Sequence, residues 1–260
     1  MCLVGLGCRA CDSVLSLELQ RFGHATIGGV LPNIPTLPKT PPLRYVLTKD
    51  PFAAPAAVAT SLAQVMRSPE LQQVTTNANA PEEIVQPAVV CLPPLLTHQA
   101  VAAQLPQYAA TLAVVGYPAG CQDELVKAAE ARLCLAGGAT GIVAVAQHSV
   151  IVGEEWNRQL SELVTLREAV PEPLPLAILF APARLTADQL NHALHQALQA
   201  GVQGIWLFGE LATSDGRSAF TAAAQVRGSG VALIVDEQEA KTLSSDMLAM
   251  AGVTGLYRSI

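Results

Sequence analysis

Four residues with side chains suited to amine, acid or base chemistry lie at or just after the ends of short apolar runs. Lys49 follows RYVLT, His148 follows GIVAVAQ, Glu210 follows GIWLFG, and Asp236 ends VALIVD. A lysine amine can form a Schiff base with a carbonyl compound, whereas imidazole and carboxylate groups can transfer protons. These residues can act together only if the fold brings the ends of the runs to one place.

The alternation of apolar runs with amphipathic stretches predicts such a fold. Helical spacing with start and stop signals lies between the runs, for example where Thr186 is a predicted N-cap and Gly201 follows a predicted helix end. Strands that are apolar on both faces and alternate with helices indicate a parallel sheet covered by helices. We therefore predict an α/β protein, a (β/α)₈ TIM barrel over residues 44–260. Its predicted strands are 44–48, 88–93, 112–117, 141–147, 175–181, 204–209, 231–236 and 255–259.

The segment before residue 44 has a different character. LPNIPTLPKTPP, residues 31–42, carries five prolines, which exclude a regular helix or a central strand. We predict that residues 1–43 form an N-terminal extension with a proline-rich arm. The sequence stops after the eighth predicted strand, so we expect no final helix there. The amphipathic stretch 11–22 is our hypothesis for what covers that flank of the barrel.

Composition excludes several classes of partner. A net charge of −6 leaves no basic stripe for a phosphate backbone, so we expect no nucleic acid. The longest apolar runs fall well short of the roughly 20 residues that a bilayer requires, so we expect no membrane insertion. The six cysteines are scattered through a long chain, as is typical of free thiols in a reducing compartment. We expect a cytoplasmic protein.

Two short motifs near the N-terminus allow alternatives. GLGCRA, residues 5–10, has the form of a dinucleotide-binding turn but is not followed by the acidic residue that would hold a ribose. Cys8 and Cys11 have C-x-x-C spacing and could ligate zinc if Cys2 and His24 converged with them. A packed turn explains both motifs more simply, so we predict no cofactor and leave Cys8 and Cys11 as weak metal candidates.

In a barrel of this kind chemistry takes place at the C-terminal ends of the strands. His148, Glu210 and Asp236 could there act as acids or bases, and Arg184 and Arg258 could bind an anion at the barrel mouth. Single polar residues at a barrel rim are also commonly just solvated loop residues. The sequence contains no paired nucleophile and base, so no complete catalytic set can be named from these positions.

Five motifs in order carry a family resemblance. They are VVCLPP (89–94), VVGYPAG (114–120), AAEARLCLAGGATGI (128–142), LTADQL (185–190) and QALQAGVQGIW (196–206). Together they resemble deoxyribose-phosphate aldolase, a class I aldolase family that joins acetaldehyde to glyceraldehyde 3-phosphate through a lysine Schiff base. The resemblance implies the same barrel and an ancestral aldolase site.

The resemblance also implies that this site has degenerated. The family's Schiff-base lysine aligns with Trp206, its second lysine with Ala232, and its proton-transferring aspartate with Val143. The family's glutamate at the end of strand five aligns with Ala181, and the lysine before it with Ala177. VDEQ (235–238) replaces the phosphate-binding glycines after strand seven.

Few other lysines could take over the Schiff-base chemistry. They are Lys39, Lys49, Lys127 and Lys241. We expect Lys127 and Lys241 to be solvated on outer helices, which leaves Lys49 as the relocation candidate.

These observations predict a non-catalytic pseudoenzyme with a regulatory, scaffolding or metabolite-binding role. Its partner would be an active aldolase relative, a second copy of itself or a small metabolite. The alternative is an active aldolase or lyase with a relocated site built on Lys49, or on His148, Glu210 and Asp236.

Overall fold

The parallel strands form one sheet that curls round on itself. The computed structural model describes residues 43–47, 60, 89–94, 110–209, 211 and 213–259. Each strand pairs in parallel with the next one along the chain, and β1 pairs with both β2 and β8, which closes the sheet into a barrel. The strands are β1 Leu43–Leu47, β2 Val89–Leu92, β3 Ala110–Val115, β4 Gly141–Val145, β5 Leu176–Phe180, β6 Gly204–Leu207, β7 Ala232–Asp236 and β8 Val253–Ser259.

Helices follow the strands from β3 onward in the described part of the chain. Short 3₁₀ turns at Pro182–Arg184 and Ala224–Val226 complete the connections. The described helices are α1 Glu124–Ala136, α2 His148–Val152, α3 Trp156–Ala169, α4 Ala187–Gln199, α5 Ser214–Ala223, α6 Glu237–Ala240 and α7 Ser245–Ala251.

Local signals in the sequence fix several of these boundaries. The Thr186 hydroxyl accepts from the Gln189 N–H, and the Gln189 side chain accepts from the Thr186 N–H, so the predicted N-cap of α4 forms a complete capping box. Gly201 takes a φ of +74° just after the same helix, a conformation that glycine adopts without strain. Both of these predictions are confirmed.

Apolar residues of the barrel form two separate layers. The larger cluster lies between the strands and the helices and includes Ile142, Ala144, Ile178 and Phe180. The smaller cluster fills the inside of the barrel, which we call the lumen. Because side chains alternate along a strand, each buried strand contributes to both layers. The lumen cluster consists of Cys91, Leu112, Val114, Val143, Val145, Ala177, Leu179, Trp206, Ile234 and Tyr257, with Val89, Tyr117, Phe208 and Ala232 packed against it.

The predicted fold class is confirmed: the protein is α/β, with a parallel curled sheet covered by helices. The bounds of most predicted strands lie within two residues of the observed bounds. No helix was predicted over His148–Val152, but these residues form α2. Residues 1–42 lie outside the described residues, so the extension, the boundary at 43/44 and the role of residues 11–22 stay predictions. None of the described helices combines the length and the apolar character needed to cross a bilayer.

Candidate functional site

The lumen is packed around an indole ring. Trp206 projects inward from β6 with 1% of its surface exposed, and its ring stacks on that of Tyr257 with the centroids 5.3 Å apart. The Phe208 ring also stacks on the Tyr257 ring, with the two centroids 6.5 Å apart. The neighbouring lumen residues are aliphatic, so the indole is held by dispersion contacts and aromatic stacking.

Four of the five positions that the resemblance assigned to lost catalytic residues, all except Ala181, meet in this lumen. Val143, Ala177 and Trp206 belong to the lumen cluster, and Ala232 packs against it. Their strands are adjacent: Val143 pairs with Ala177 across β4 and β5, and Gly204, two residues before Trp206, pairs with Ala232. The sequence prediction therefore grouped residues that are neighbours in space, and the side chains at these positions are apolar.

Space around the indole is tight on the β5 side. A Cβ atom added to Gly204 would lie 2.9 Å from Cβ of Ala177 and 3.8 Å from Nε1 of Trp206. Small residues at these two positions thus accommodate the large ring beside them. The lumen is filled by one bulky residue among small ones, as close packing requires.

Asp236 lies at the C-terminal end of β7 with 5% of its surface exposed. Its Oδ1 accepts from the backbone N–H groups of Gln238 and Glu239, which makes it the N-cap of α6, and its Oδ2 accepts from the Ser259 hydroxyl at 3.3 Å. Tyr257 also interacts with this carboxylate, and burial, followed by the nearby carboxylates, raises the pKa of the Tyr257 phenol. Asp236 is thus held by several donors at the inner edge of the mouth.

His148 joins the ends of β4 and β5. Its Nε2 accepts from the Ala181 N–H at 2.7 Å, and its ring also interacts with the Ala146 carbonyl. Burial is the main cause that lowers the pKa of His148 to about 4, and Lys127 and Arg184 lower it further against the opposing effect of the Ala146 carbonyl. The imidazole is therefore neutral at pH 7 and serves as an acceptor for a backbone group.

The two arginines proposed to bind an anion differ in their surroundings. The Arg258 guanidinium makes two hydrogen bonds to the Glu237 carboxylate, 2.6 Å from Nε and 3.0 Å from Nη2. Its charge is thus largely compensated within the protein. Arg184 ends the 3₁₀ turn after β5 and is exposed. The structure does not bring the two residues into one described cluster.

Lys127 is where the structure departs most clearly from the sequence prediction. We expected it to be solvated, and this was wrong: its side chain is 0% exposed, between α1 and the strands. Its Nζ donates to the Val145 carbonyl at 2.8 Å and forms a short ion pair with Glu162 of α3. Lys241 is exposed as predicted and pairs with Glu237 at 3.2 Å.

The surroundings of Lys127 explain its burial. The Gln147 N–H also donates to the Glu162 carboxylate, and burial raises the pKa of Glu162 against the opposing effect of Lys127. The aliphatic stem of the lysine packs beneath the turn after β3, where a Cβ on Gly116 would lie 3.0 Å from Cε of Lys127. Lys127 shares its helix face with Ala128, Ala131 and Cys134, and this spacing was the signal in the sequence that could have identified it.

Several predicted site residues lie outside the described residues, namely Lys49, Glu210, Cys8 and Cys11. The relocated active site that involves Lys49 or Glu210, and the zinc site on Cys8 and Cys11, therefore stay predictions. Among the residues that are described, no group of three or more His, Cys, Asp or Glu side chains is arranged to hold a metal ion.

Comparison with known proteins places part of this chain beside one family. Over 88 residues, 34% of the chain, it is 41% identical to a deoxyribose-phosphate aldolase of Corynebacterium jeikeium (strain K411). A second such aldolase, from Corynebacterium glutamicum, is 38% identical over 88 residues. The chain is similar to deoxyribose-phosphate aldolases. The matched segment spans 35% and 40% of these two relatives, so it covers little more than a third of their length. No family model matches the chain.

The fold extends the aldolase resemblance over most of the chain. The solved structure of QR15, an aldolase, superposes with a TM-score of 0.61 at 14% identity, covering 83% of this chain and 88% of that one. The tetrameric deoxyribose phosphate aldolase of Aeropyrum pernix gives 0.57 at 13% identity, covering 83% of each chain. At such identities the likeness concerns the fold alone. The resemblance predicted from the five motifs is confirmed at this level.

Proposed function

We propose that this protein is a non-catalytic, aldolase-like (β/α)₈ barrel: a pseudoenzyme that has lost the Schiff-base lysine and acts by binding. Its role would be to regulate or scaffold an active aldolase relative, or to bind a small metabolite. The observation that carries the proposal is the buried indole of Trp206, stacked on Tyr257 at the strand-six position where the resemblance expects the lysine.

The chemistry of a Schiff base explains why this observation matters. The reacting amine must be reachable by a carbonyl compound, and its pKa must be lowered by desolvation or by a neighbouring cation. Trp206 supplies no amine and fills the space that such an amine and its substrate would share. Ala232, Val143 and Ala177 are equally unable to supply the second cation or the proton-transferring acid.

The lysines of the described residues support the same proposal. Lys127 is enclosed outside the lumen and bonded to Glu162 and the Val145 carbonyl, whereas Lys241 is exposed and paired with Glu237. Neither of them belongs to the lumen cluster. A carbonyl compound in the lumen would therefore meet no amine from this part of the chain.

Reductive trapping tests the proposal. The full chain is incubated with acetaldehyde and sodium borohydride, digested, and mapped by mass spectrometry for a reduced ethyl group on lysine. An active deoxyribose-phosphate aldolase treated in parallel serves as the positive control. We expect no site-specific adduct on this chain.

A specific adduct would overturn the proposal and identify the amine. Modification of Lys49 that disappears in Lys49→Arg, while the other lysines stay unmodified, would establish the alternative of a relocated aldolase site. Slow, equal modification of exposed lysines would match that of an unrelated control protein and would leave the non-catalytic proposal standing.

A further inference from the structure

A small buried cavity lies between α3 and the strands β4 and β5. Its walls are mainly apolar and include Leu163, Ile178 and Phe180, but Gln159 and Glu162 of α3 line it as well. The space open to the centre of a water molecule is about 10 Å³. A buried site needs about 10 to 15 Å³ by this measure to hold one water. The cavity therefore has room for one water molecule, and a much larger ligand would not fit.

The Gln159 amide presents an acceptor that is not used. The side chain is 3% exposed, and its Nε2 donates to the Ala193 carbonyl of α4 at 3.3 Å. This bond fixes the orientation of the amide, because the reversed orientation would place its oxygen against the carbonyl oxygen. The Oε1 atom is buried and has no hydrogen-bond partner among the described residues. A buried amide oxygen of this kind requires a donor, since leaving it without one is unfavourable.

The Glu162 carboxylate is the second acceptor that lines the cavity. Glu162 lies one helical turn after Gln159, so both side chains project from the same face of α3. Its carboxylate accepts from the Lys127 ammonium and from the Gln147 N–H. An ionised carboxylate has about four lone-pair positions, so it can accept a further hydrogen bond. Both polar groups of the cavity can thus accept from one donor placed between them.

We propose that the cavity holds one buried water molecule, which donates one hydrogen bond to Oε1 of Gln159 and the other to the Glu162 carboxylate. Water has two donor hydrogens within the size that the cavity admits. A small cation is a poorer occupant, because Lys127 already compensates the charge of Glu162. The structure thus assigns this cavity to a neutral molecule with two donor hydrogens.

The water connects two sets of hydrogen bonds into one buried network. On one side, Gln159 is bonded to the Ala193 carbonyl of α4. On the other side, Glu162 is bonded to Lys127 of α1, whose Nζ also donates to the Val145 carbonyl of β4. With the water between Gln159 and Glu162, the network joins three neighbouring helices to the sheet. A buried network whose members are all satisfied favours one arrangement of the elements that it joins.

Gln196 of α4 provides a matched control. Its Nε2 donates to the Trp156 carbonyl of α3 at 3.1 Å, which mirrors the bond from Gln159 to α4. Its Oε1 is also buried without a partner among the described residues, and 8% of the residue is exposed. Gln196 does not line this cavity, however. The two glutamines therefore differ in the feature on which the proposal depends.

Magnetic relaxation dispersion of the solvent tests the proposal, because it counts the water molecules that stay bound for longer than the protein takes to tumble. We expect the unmodified full chain to hold one more such water than Gln159→Leu, since leucine offers no acceptor. Gln196→Leu should hold the same number as the unmodified protein. Far-ultraviolet circular dichroism checks that both variants are folded.

A high-resolution crystal structure of the unmodified protein provides a test that needs no variant. We expect a peak of electron density in the cavity, within hydrogen-bond distance of Oε1 of Gln159 and of a Glu162 carboxylate oxygen. A cavity without density, or one closed by its own side chains, would overturn the proposal.

Three results of the relaxation measurement would also overturn it. The first is an equal number of long-lived waters in the unmodified protein and in Gln159→Leu. The second is a loss in Gln196→Leu alone, which would place the water at the α4 amide. The third is an equal loss in both variants, which would mean that this cavity is not the source. None of these results depends on whether the lumen is catalytically inactive.

Discussion

The lumen and the layer outside the strands are both mainly apolar, but the largest side chains buried at their centres differ in kind. In the lumen the dominant group is the Trp206 and Tyr257 aromatic stack among aliphatic residues. In the outer layer, beneath α1 and α3, the Lys127 ammonium and the Glu162 carboxylate are both buried and bonded to each other. An active Schiff-base aldolase would require an amine inside the barrel, where this protein has an indole.

The difference shows that burial of a lysine alone says nothing about catalysis. Lys127 is as completely buried as a reactive amine would be, but its donors are used by Glu162 and the Val145 carbonyl. Its enclosure beneath the turn at Gly116 also keeps carbonyl compounds away. The ion pair connects α1, α3 and the end of β4, so we interpret it as a structural interaction that holds these two helices to the sheet.

Removing the indole from the lumen should have the largest effect. Trp206→Ala deletes a fully buried ring and its stacking on Tyr257, and the small neighbours cannot close the space. We expect the free energy of unfolding in urea to fall by about 4 kcal/mol. Phe208→Ala, at a half-buried position of the same stack, is the control and should cost clearly less. Equal losses for the two variants would mean that the indole is not the centre of lumen packing.

Breaking the ion pair between Lys127 and Glu162 should have the next largest effect. Lys127→Met leaves the Glu162 carboxylate buried without its cation, and we expect a loss of about 3 kcal/mol in the free energy of unfolding at pH 7. The loss should shrink at lower pH, because Glu162 can then be protonated. Lys127→Met combined with Glu162→Leu should recover most of it, since both charges are gone. A double variant as unstable as the sum of the single variants would show that the two residues do not act as a pair.

A pH titration examines the boundary between the two regions, where His148 joins β4 to β5. Its pKa is lowered from 6.5 to about 4 in the folded protein, chiefly by burial. Above pH 6.5 the imidazole is neutral in both states and its contribution is fully present. As the pH falls from 6.5 to 4 the unfolded chain binds a proton that the folded chain does not, so stability falls by roughly 3 kcal/mol in total.

The control for this titration is His148→Gln, which keeps an acceptor for the Ala181 N–H but cannot titrate. Urea unfolding midpoints between pH 7 and pH 4 should fall less steeply for the variant than for the unmodified protein. Parallel curves would show that other groups cause the pH dependence.

The sequence predicted the lumen better than the outer layer, for a physical reason. Strands that are apolar on both faces give a local signal, and the family resemblance, whose motifs lie largely on those strands, implied the aligned positions Val143, Trp206 and Ala232. The bonds that distinguish the outer layer and its boundary at His148 are long-range. Lys127 and Glu162 are separated by 35 positions, and His148 and Ala181 by 33.

No local pattern specifies such pairs. A lysine on a helix is usually solvated, and Lys127 differs only in lying on the face of Ala128, Ala131 and Cys134. The exposed apolar residues of α1, Leu125, Val126 and Leu133, were missed for the same reason. The sequence shows a helix rich in Ala and Leu, but only the packing shows which of these residues point away from the barrel.

The smallest expected effect concerns the Tyr257 hydroxyl in the lumen. The Tyr257 hydroxyl lies 3.5 Å from the Leu207 carbonyl, a long hydrogen bond, and also interacts with Asp236. Tyr257→Phe keeps the ring stacked on Trp206, and Asp236 retains the Gln238, Glu239 and Ser259 donors. We therefore expect a loss of about 1 kcal/mol or less in urea unfolding, similar to that of Ser259→Ala, which also removes one donor from Asp236. A loss near that of Lys127→Met would mean that the lumen also depends on a buried polar network, and the contrast between the two regions would then fail.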